Sequence, residues 1–461
     1  MRPGPHASGR SIAAAAFLLI GAIYGTALGL LTPPLRWGDE NTHFIQAYRL
    51  SELSLALRPA LRGTYTELPR GVGRFLMGRA FELKKRRKTA PERLDALVRK
   101  LDIEANPHDR RLVKLDNATY PPLGYVPQAI GIAAARPFTR SVLLHFYAAR
   151  LGNVVAWLLL VWAAIRTTPY FRLAFAVLAL SPLSVFVAST CALDGTTNGL
   201  AFLWTAWIVR LATSETPARA PVVPLGVLAA ALTLVKLAYA PLVLLLLAVP
   251  AERFGGARRR LLAVAAVLLA SLAVTALWLL VARWQIAHTA AHLGARTASA
   301  NLTRLLQDPL AVAAMVGDNL LLVVRHAFVL LVETIWFTSA VRPEAFPAWL
   351  AALLCAVFAE PRPDAWPALR DRAVAVATAI VTMIGVALIA FVLWTRAGAS
   401  EISGVQSRYV IPLLPALTIA VSPPGSILPG DGTRRGLVVV ALALVVAVLG
   451  YTVHRGMLLW R

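Results

Sequence analysis

The chain has 461 residues, of which 58% are hydrophobic, and a mean hydropathy of +0.66. That much apolar surface excludes a soluble globular protein, and the absence of strand-period alternation argues against a β-barrel. The net charge of +23, from 46 Lys+Arg against 23 Asp+Glu, comes with no nucleic-acid motif. It reads as arginine in cytoplasmic loops and anionic lipid as neighbour, not nucleic acid.

Several runs reach the roughly 20 apolar residues that cross about 30 Å of hydrocarbon. They include 11–32, 144–165, 261–282 and 374–393. Arg2 and Arg10 ahead of the first run place the N-terminus in the cytoplasm, and the run is too long for a signal-peptide core, so it is expected to stay as an uncleaved span. The chain leaves that span at Pro33-Pro34 and enters a polar stretch, 33 to about 119, within an extracytoplasmic loop of 33–143. Residues 39–57 read as an amphipathic helix, and 84–114, opening with five basic residues at 84–88, as charged and helical. In 120–138, which begins YPPLGYVPQ, three prolines leave two readings, a short span or a helix in the outer interface.

Spans at 144–165, 172–191 and 195–212 follow, with Asp194 between the last two on the outer side. The run 222–250 reads as two half-spans with Lys236 at their outer apex, and 261–283 as a span leading to a loop at 284–310. A membrane-contacting segment at 311–341 precedes spans at 345–359, 373–395, 409–422 and 437–454. Every short arginine-rich loop then lies on the cytoplasmic side. The expected architecture is an all-α polytopic membrane protein, one integral membrane domain over 1–461 with about 11 spans, within two either way.

This threading gathers distant polar landmarks on the outer face. Asp39 and Glu40, in RWGDENTHF, can cap a helix, pair with His43 three or four residues on, or take a proton from a hydroxyl. Asp194 in STCALDGTTNG can cap a helix or bind an acceptor hydroxyl or a cation. Lys236 in TLVKLAYAP either snorkels to an interface or contacts phosphate. Arg408 and Tyr409 in GVQSRYVIP form either an interfacial anchor or a phosphate fork. Asp318, Arg325, His326 and Glu333 lie near one helical face and either pair internally and line a cavity or belong to a segment lying at the interface. Cys191 and Cys355 are far apart and lack metal spacing, so neither a disulfide nor a zinc site is expected.

The acid pair with HF and AYRLS, then YPPLGYVPQ, LSPLSVFVAS with its following Asp, the Lys-to-Tyr-Ala-Pro stretch and GVQSRYVIPLLP occur in this order over nearly the whole chain. This combination resembles a family of bacterial polytopic membrane proteins classed as domain of unknown function 2142. That family is similar in turn to the GT-C glycosyltransferases. The resemblance implies a GT-C-like fold in the bacterial inner membrane and inverting transfer of a sugar from a polyprenyl-phosphate donor to a glycan or protein acceptor. It implies Asp39 or Glu40 as base, His43, Asp194 and Tyr120 in support, and Lys236, Arg408 and Tyr409 on the lipid phosphate. No Asp-x-Asp pair follows the first span, so no metal site is assigned, although a divalent cation stays open as cofactor. The rival functions are a transporter of lipid-linked saccharides and a non-catalytic protein of envelope assembly.

Overall fold

The computed structural model describes residues 5–35, 39–54, 58–60, 63–77, 92, 95, 97–115, 120–214, 219–293, 295–330, 345–360, 366–422, 425 and 430–457. Helix α1 (Pro5–Leu31) stops where Pro33 and Pro34 remove backbone donors and disfavour a further helical turn. Helix α2 (Glu40–Ser51) follows, buried on nearly all sides from Thr42 to Arg49, so it is a packed element and not the half-exposed amphipathic helix expected.

The chain then forms an antiparallel sheet in the order β1 (Arg58–Ala60), β2 (Gly63–Pro69), β3 (Arg110–Lys114), with α3 (Arg70–Met77) after β2. The sheet corrects the all-α expectation, and β3 corrects the helical reading of 84–114. Thr64, Thr66 and Leu68 are buried while Tyr65 and Glu67 are half-exposed, a strand alternation too short to stand out beside long apolar helices. The basic run at 84–88 lies outside the described residues.

Next come a 3-10 turn (Pro122–Tyr125), α4 (Val126–Ala135) and the long α5 (Val142–Thr167). At ten residues α4 is too short to span a bilayer. The span expected at 172–191 is broken into α6 (Arg172–Ala179) and α7 (Pro182–Ala188), since Pro182 ends one helix and opens the next. Helix α8 (Asp194–Thr213) begins after an unwound stretch. The run 222–250 divides at Lys236, whose backbone is extended, into α9 (Val222–Val235) and a 3-10 helix (Leu237–Ala248).

Helix α10 (Ala257–Leu293) and α11 (Ala295–Gln307) fill the loop expected at 284–310. Then follow α12 (Pro309–Leu330), α13 (Phe346–Ala359), α14 (Leu369–Trp394), a 3-10 turn (Ser407–Leu413), α15 (Leu414–Val421) and α16 (Asp431–Met457).

Among the described residues, five helices are long and apolar enough to cross a membrane: Ile12–Leu31, Val142–Thr167, Ala257–Arg283, Leu369–Trp394 and Asp431–Arg455. The pair Ala298–Gln307 and Pro309–Val323, bent by 109°, makes a sixth if it crosses as one. Val222–Val235, Leu237–Ala248, Phe346–Ala359 and Ser407–Val421 are apolar and shorter.

Helix α5 packs against α1, α4 and α8. Small residues permit the close approach: a Cβ on Gly21 would sit 2.8 Å from Leu158, and one on Gly25 would sit 3.1 Å from Val154. The unwound stretch 189–193 lies in the core, where bare peptide groups are expensive. Asn153 Nδ2 donates to the carbonyls of Ala188, Thr190 and Ala192 at 3.1, 2.9 and 2.9 Å. Gln128 Nε2 donates to Asn153 Oδ1 and to the Ala192 carbonyl, both at 3.1 Å. This amide pair fixes where α8 starts, and therefore where Asp194 stands.

Arginines cap the C-terminal ends of helices at one end of the bundle. Arg372 donates to the Ser422 carbonyl at 2.6 Å and Arg260 to the Val249 carbonyl at 3.2 Å, while Arg253 reaches the Ser214 carbonyl. The backbone N–H groups of Arg172 and Leu173 donate to the Glu360 carboxylate at 2.9 and 2.7 Å.

Candidate functional site

The polar landmarks meet at the opposite end of the bundle. Asp39 enters from the turn before α2, Asp194 from the first residue of α8 and Lys236 from the break after α9. Trp394 closes α14, Gln406 precedes the 3-10 turn that returns the chain to α15, and Arg408 and Tyr409 lie in that turn. With His43, Tyr120, Leu193 and Gly404 they line a cavity of about 180 Å³. Gly404 has φ +94, and a Cβ there would sit 3.0 Å from Trp394 Cβ, so the backbone both needs and exploits glycine.

Two cations share one acid in this cavity. Lys236 Nζ lies 3.0 Å from Asp194 Oδ1, and Arg408 Nη1 lies 3.3 Å from Asp194 Oδ2. Both cations face Tyr409, with Lys236 Nζ 4.2 Å and the Arg408 guanidinium carbon 5.4 Å from the ring centroid. Tyr239 donates its hydroxyl to the Tyr409 carbonyl at 3.1 Å and so steadies that ring. Asp39 is a looser partner. Its carboxylate is 3.8 Å from Arg408 Nη2, and its side chain is 57% exposed against 6% for Asp194. The second acid is therefore the movable one.

His43 forms the inner wall, with Nδ1 2.7 Å from Tyr125 Oη and its ring 6.3 Å from that of Tyr120. Burial pulls its imidazole from the ordinary 6.5 down to about 3; the nearby Asp194 opposes the shift and Arg408 and Lys236 add to it. His43 is thus a neutral hydrogen-bonding group. Burial also raises the phenols of Tyr120 and Tyr125, which stay protonated.

Glu40 does not line this cavity, which corrects the expectation that either acid of the pair can serve there. Its side chain is fully buried, and its two oxygens accept from Arg150 Nε and Nη2, both at 2.8 Å. Glu40 also accepts the Cys191 backbone N–H at 3.1 Å. Arg150 Nη1 donates to the carbonyls of Gly29 and Thr32 at 2.7 and 2.6 Å, tying the end of α1 to α5. Asp39 is the N-cap and Glu40 the first residue of α2, so the two side chains leave the backbone in different directions, one to the opening and one to the core.

Asp39, His43, Tyr120, Asp194, Lys236, Arg408 and Tyr409 are brought together. Asp318 lies in α12 and is not among the lining residues, whereas the side chains of Arg325 and His326 and all of Glu333 lie outside the described residues. No cluster of three or more His, Cys, Asp or Glu able to hold a metal occurs among the described residues. The sequence reading missed Trp394, Tyr239 and Arg150. An arginine in the middle of an apolar span was the available signal for the last, because it demands a partner.

No curated protein and no solved structure matches the chain. Residues 22–417 match the family described as predicted membrane protein (DUF2142). The match extends over most of the 461 residues, from within α1 to within α15, and the chain belongs to this membrane protein family, whose domain is of unknown function.

Proposed function

We propose that the protein is an inverting membrane glycosyltransferase that moves a sugar from a polyprenyl phosphate to a glycan or protein acceptor outside the cell. The observation that carries this reading is a cavity at one bundle end with one exposed carboxylate, Asp39, opposite two cations anchored on a buried acid. A phosphate displaces the loose Arg408–Asp39 contact and keeps both cations. Asp39 is released to act as base. It takes the proton of the acceptor hydroxyl while that oxygen bonds to the anomeric carbon. The anomeric carbon–oxygen bond to phosphate breaks on the far side, and its electron pair leaves with the polyprenyl phosphate. Lys236 and Arg408 stabilise the developing charge.

The positive-inside rule supports a cytoplasmic position for the arginine-capped end, and hence an extracytoplasmic cavity in the bacterial inner membrane. In a GT-C-like arrangement the shorter apolar helices supply the remaining crossings, about 11 in all.

The test gives membranes carrying wild type, Asp39→Asn or Lys236→Ala a radiolabelled polyprenyl-phosphate sugar. Wild-type transfer that is lost in Asp39→Asn at equal abundance supports the reading. Undiminished transfer in both variants overturns the site. A wild type that carries labelled lipid across vesicles without transfer replaces the enzyme with a transporter.

A further inference from the structure

The wall of the cavity that carries Tyr120 and Tyr125 continues into α4, whose outward face is unusual. Leu123, Val126, Ile130, Ala133 and Pro137 are exposed at spacings of three and four, and Phe138 beside Pro137 is exposed as well. Ile130 is 63% and Phe138 88% exposed, and no charged residue occurs from 120 to 135. The first charge beyond, Arg136, turns inward. It donates to Ser51 O and Oγ at 2.6 Å each and lies 5.2 Å over the Tyr48 ring.

The inner face of α4 is sealed against α5 by glycine. A Cβ on Gly131 would meet the Ala148 carbonyl at 2.1 Å, and one on Gly152 would meet the Pro127 carbonyl at 2.2 Å. These contacts align the two helices antiparallel, with Gly131 level with Ala148 and Pro127 level with Gly152. Counting from Arg166 near the far end of α5, those levels lie roughly 21 to 27 Å along the axis at 1.5 Å per residue. A hydrocarbon core is about 30 Å thick, so α4 runs beside the distal part of the spanning region. The exposed face of α5 itself, with Leu151, Val155 and Leu159, continues the same apolar surface.

We infer that α4 and the 3-10 turn before it are seated in one leaflet of the bilayer, with Leu123, Val126 and Ile130 against acyl chains. Lipid is the occupant because the stripe is uncharged and continuous with the exposed face of a spanning helix. The helix is too short to cross, so it forms a half-inserted wall. The cavity that Tyr120 lines then has this lipid-facing wall beside it.

The experiment attaches a nitroxide spin label to Ile130→Cys and, for comparison, to His108→Cys in the exposed sheet region, each in reconstituted vesicles. Cys191 is buried and Cys355 half-buried, and the unsubstituted protein sets their background labelling. At position 130 oxygen is expected to relax the label several-fold more than a water-soluble nickel complex does, with the order reversed at 108. Equal access of nickel to both positions overturns the inference. So does dipolar broadening at 130 that vanishes on dilution with unlabelled protein, which assigns the stripe to a second copy of the chain. Val126→Cys, on the same stripe, repeats the measurement if Ile130→Cys fails to fold.

Discussion

Asp39 and Glu40 are adjacent in sequence, and each faces arginine, yet their surroundings differ in every respect that governs chemistry. Glu40 is enclosed, held by two hydrogen bonds from Arg150 and one from the Cys191 backbone. Asp39 is more than half exposed and lies 3.8 Å from an Arg408 already engaged with Asp194. A buried pair with both oxygens satisfied fastens helices together and is closed off from a substrate. An open acid with a loose partner contributes little to stability and is free to exchange that partner for a ligand. The contrast teaches that two neighbouring carboxylates divide into a fastener and a reactive group according to what surrounds them.

The largest expected effect lies on the buried side. Arg150→Met leaves Glu40 charged and without a cation in the core and should destabilise the protein by ~3–5 kcal/mol, read from denaturant or heat unfolding in detergent. Adding Glu40→Leu to the same chain should recover much of that loss. A double variant no better than the single one breaks the comparison, because the pair would then owe its effect to the carbonyls that Arg150 binds.

The open side predicts the reverse pattern. Asp39→Asn should leave the melting temperature unchanged and lower the proposed transfer rate roughly 10²- to 10⁴-fold, the usual range for losing a general base. A fall in stability matching that of Arg150→Met would erase the distinction between the two acids.

A smaller effect belongs to the cations. Lys236→Met removes one charge-assisted contact worth ~1.5–3 kcal/mol and should weaken use of the lipid donor about ten- to a hundredfold, while Arg408 remains on Asp194. Titration with donor should place the loss in KM more than in kcat if Lys236 acts mainly by holding the ground-state phosphate. A loss confined to kcat would move its role to the leaving group.

The smallest effect sharpens the inner wall. The His43 value falls from 6.5 in the unfolded chain to about 3 in the folded one, so the unfolded state binds the proton first on acidification. The stability contribution is therefore fully present above pH 6.5 and is lost as pH falls from 6.5 towards 3. By pH 5 the loss should approach ~2 kcal/mol, and His43→Asn should flatten that part of the stability profile. An unchanged slope in the variant would assign the acid sensitivity to other groups.

Much of the fold was legible because the bilayer imposes one length and one composition on a spanning helix. The runs that became α1, α5, α10, α14 and α16 carry that signal in their residues. The break at Lys236 was legible too, since a lysine inside apolar sequence needs a special position. The sheet was not, because three short strands with mixed charge produce weak alternation, and pairing of β2 with β3 joins residues 40 or more apart. The division of 172–191 was written in Ser181-Pro182, whereas the unwound stretch that follows it, 189–193, is tolerable in the core only because of the amide pair of Asn153 and Gln128.

By itself the sequence determined that the protein belongs in a membrane, which polar groups interrupt its apolar runs, and which motifs occur in one order. Those properties follow from local composition and from the energy of placing charge in hydrocarbon. Tertiary structure alone decided that Asp194 holds two cations at once, that His43 is buried and neutral, and that Glu40 belongs to Arg150. Each of these is set by which side chains the packed helices bring within about 4 Å, where Coulomb forces and desolvation are steep functions of position.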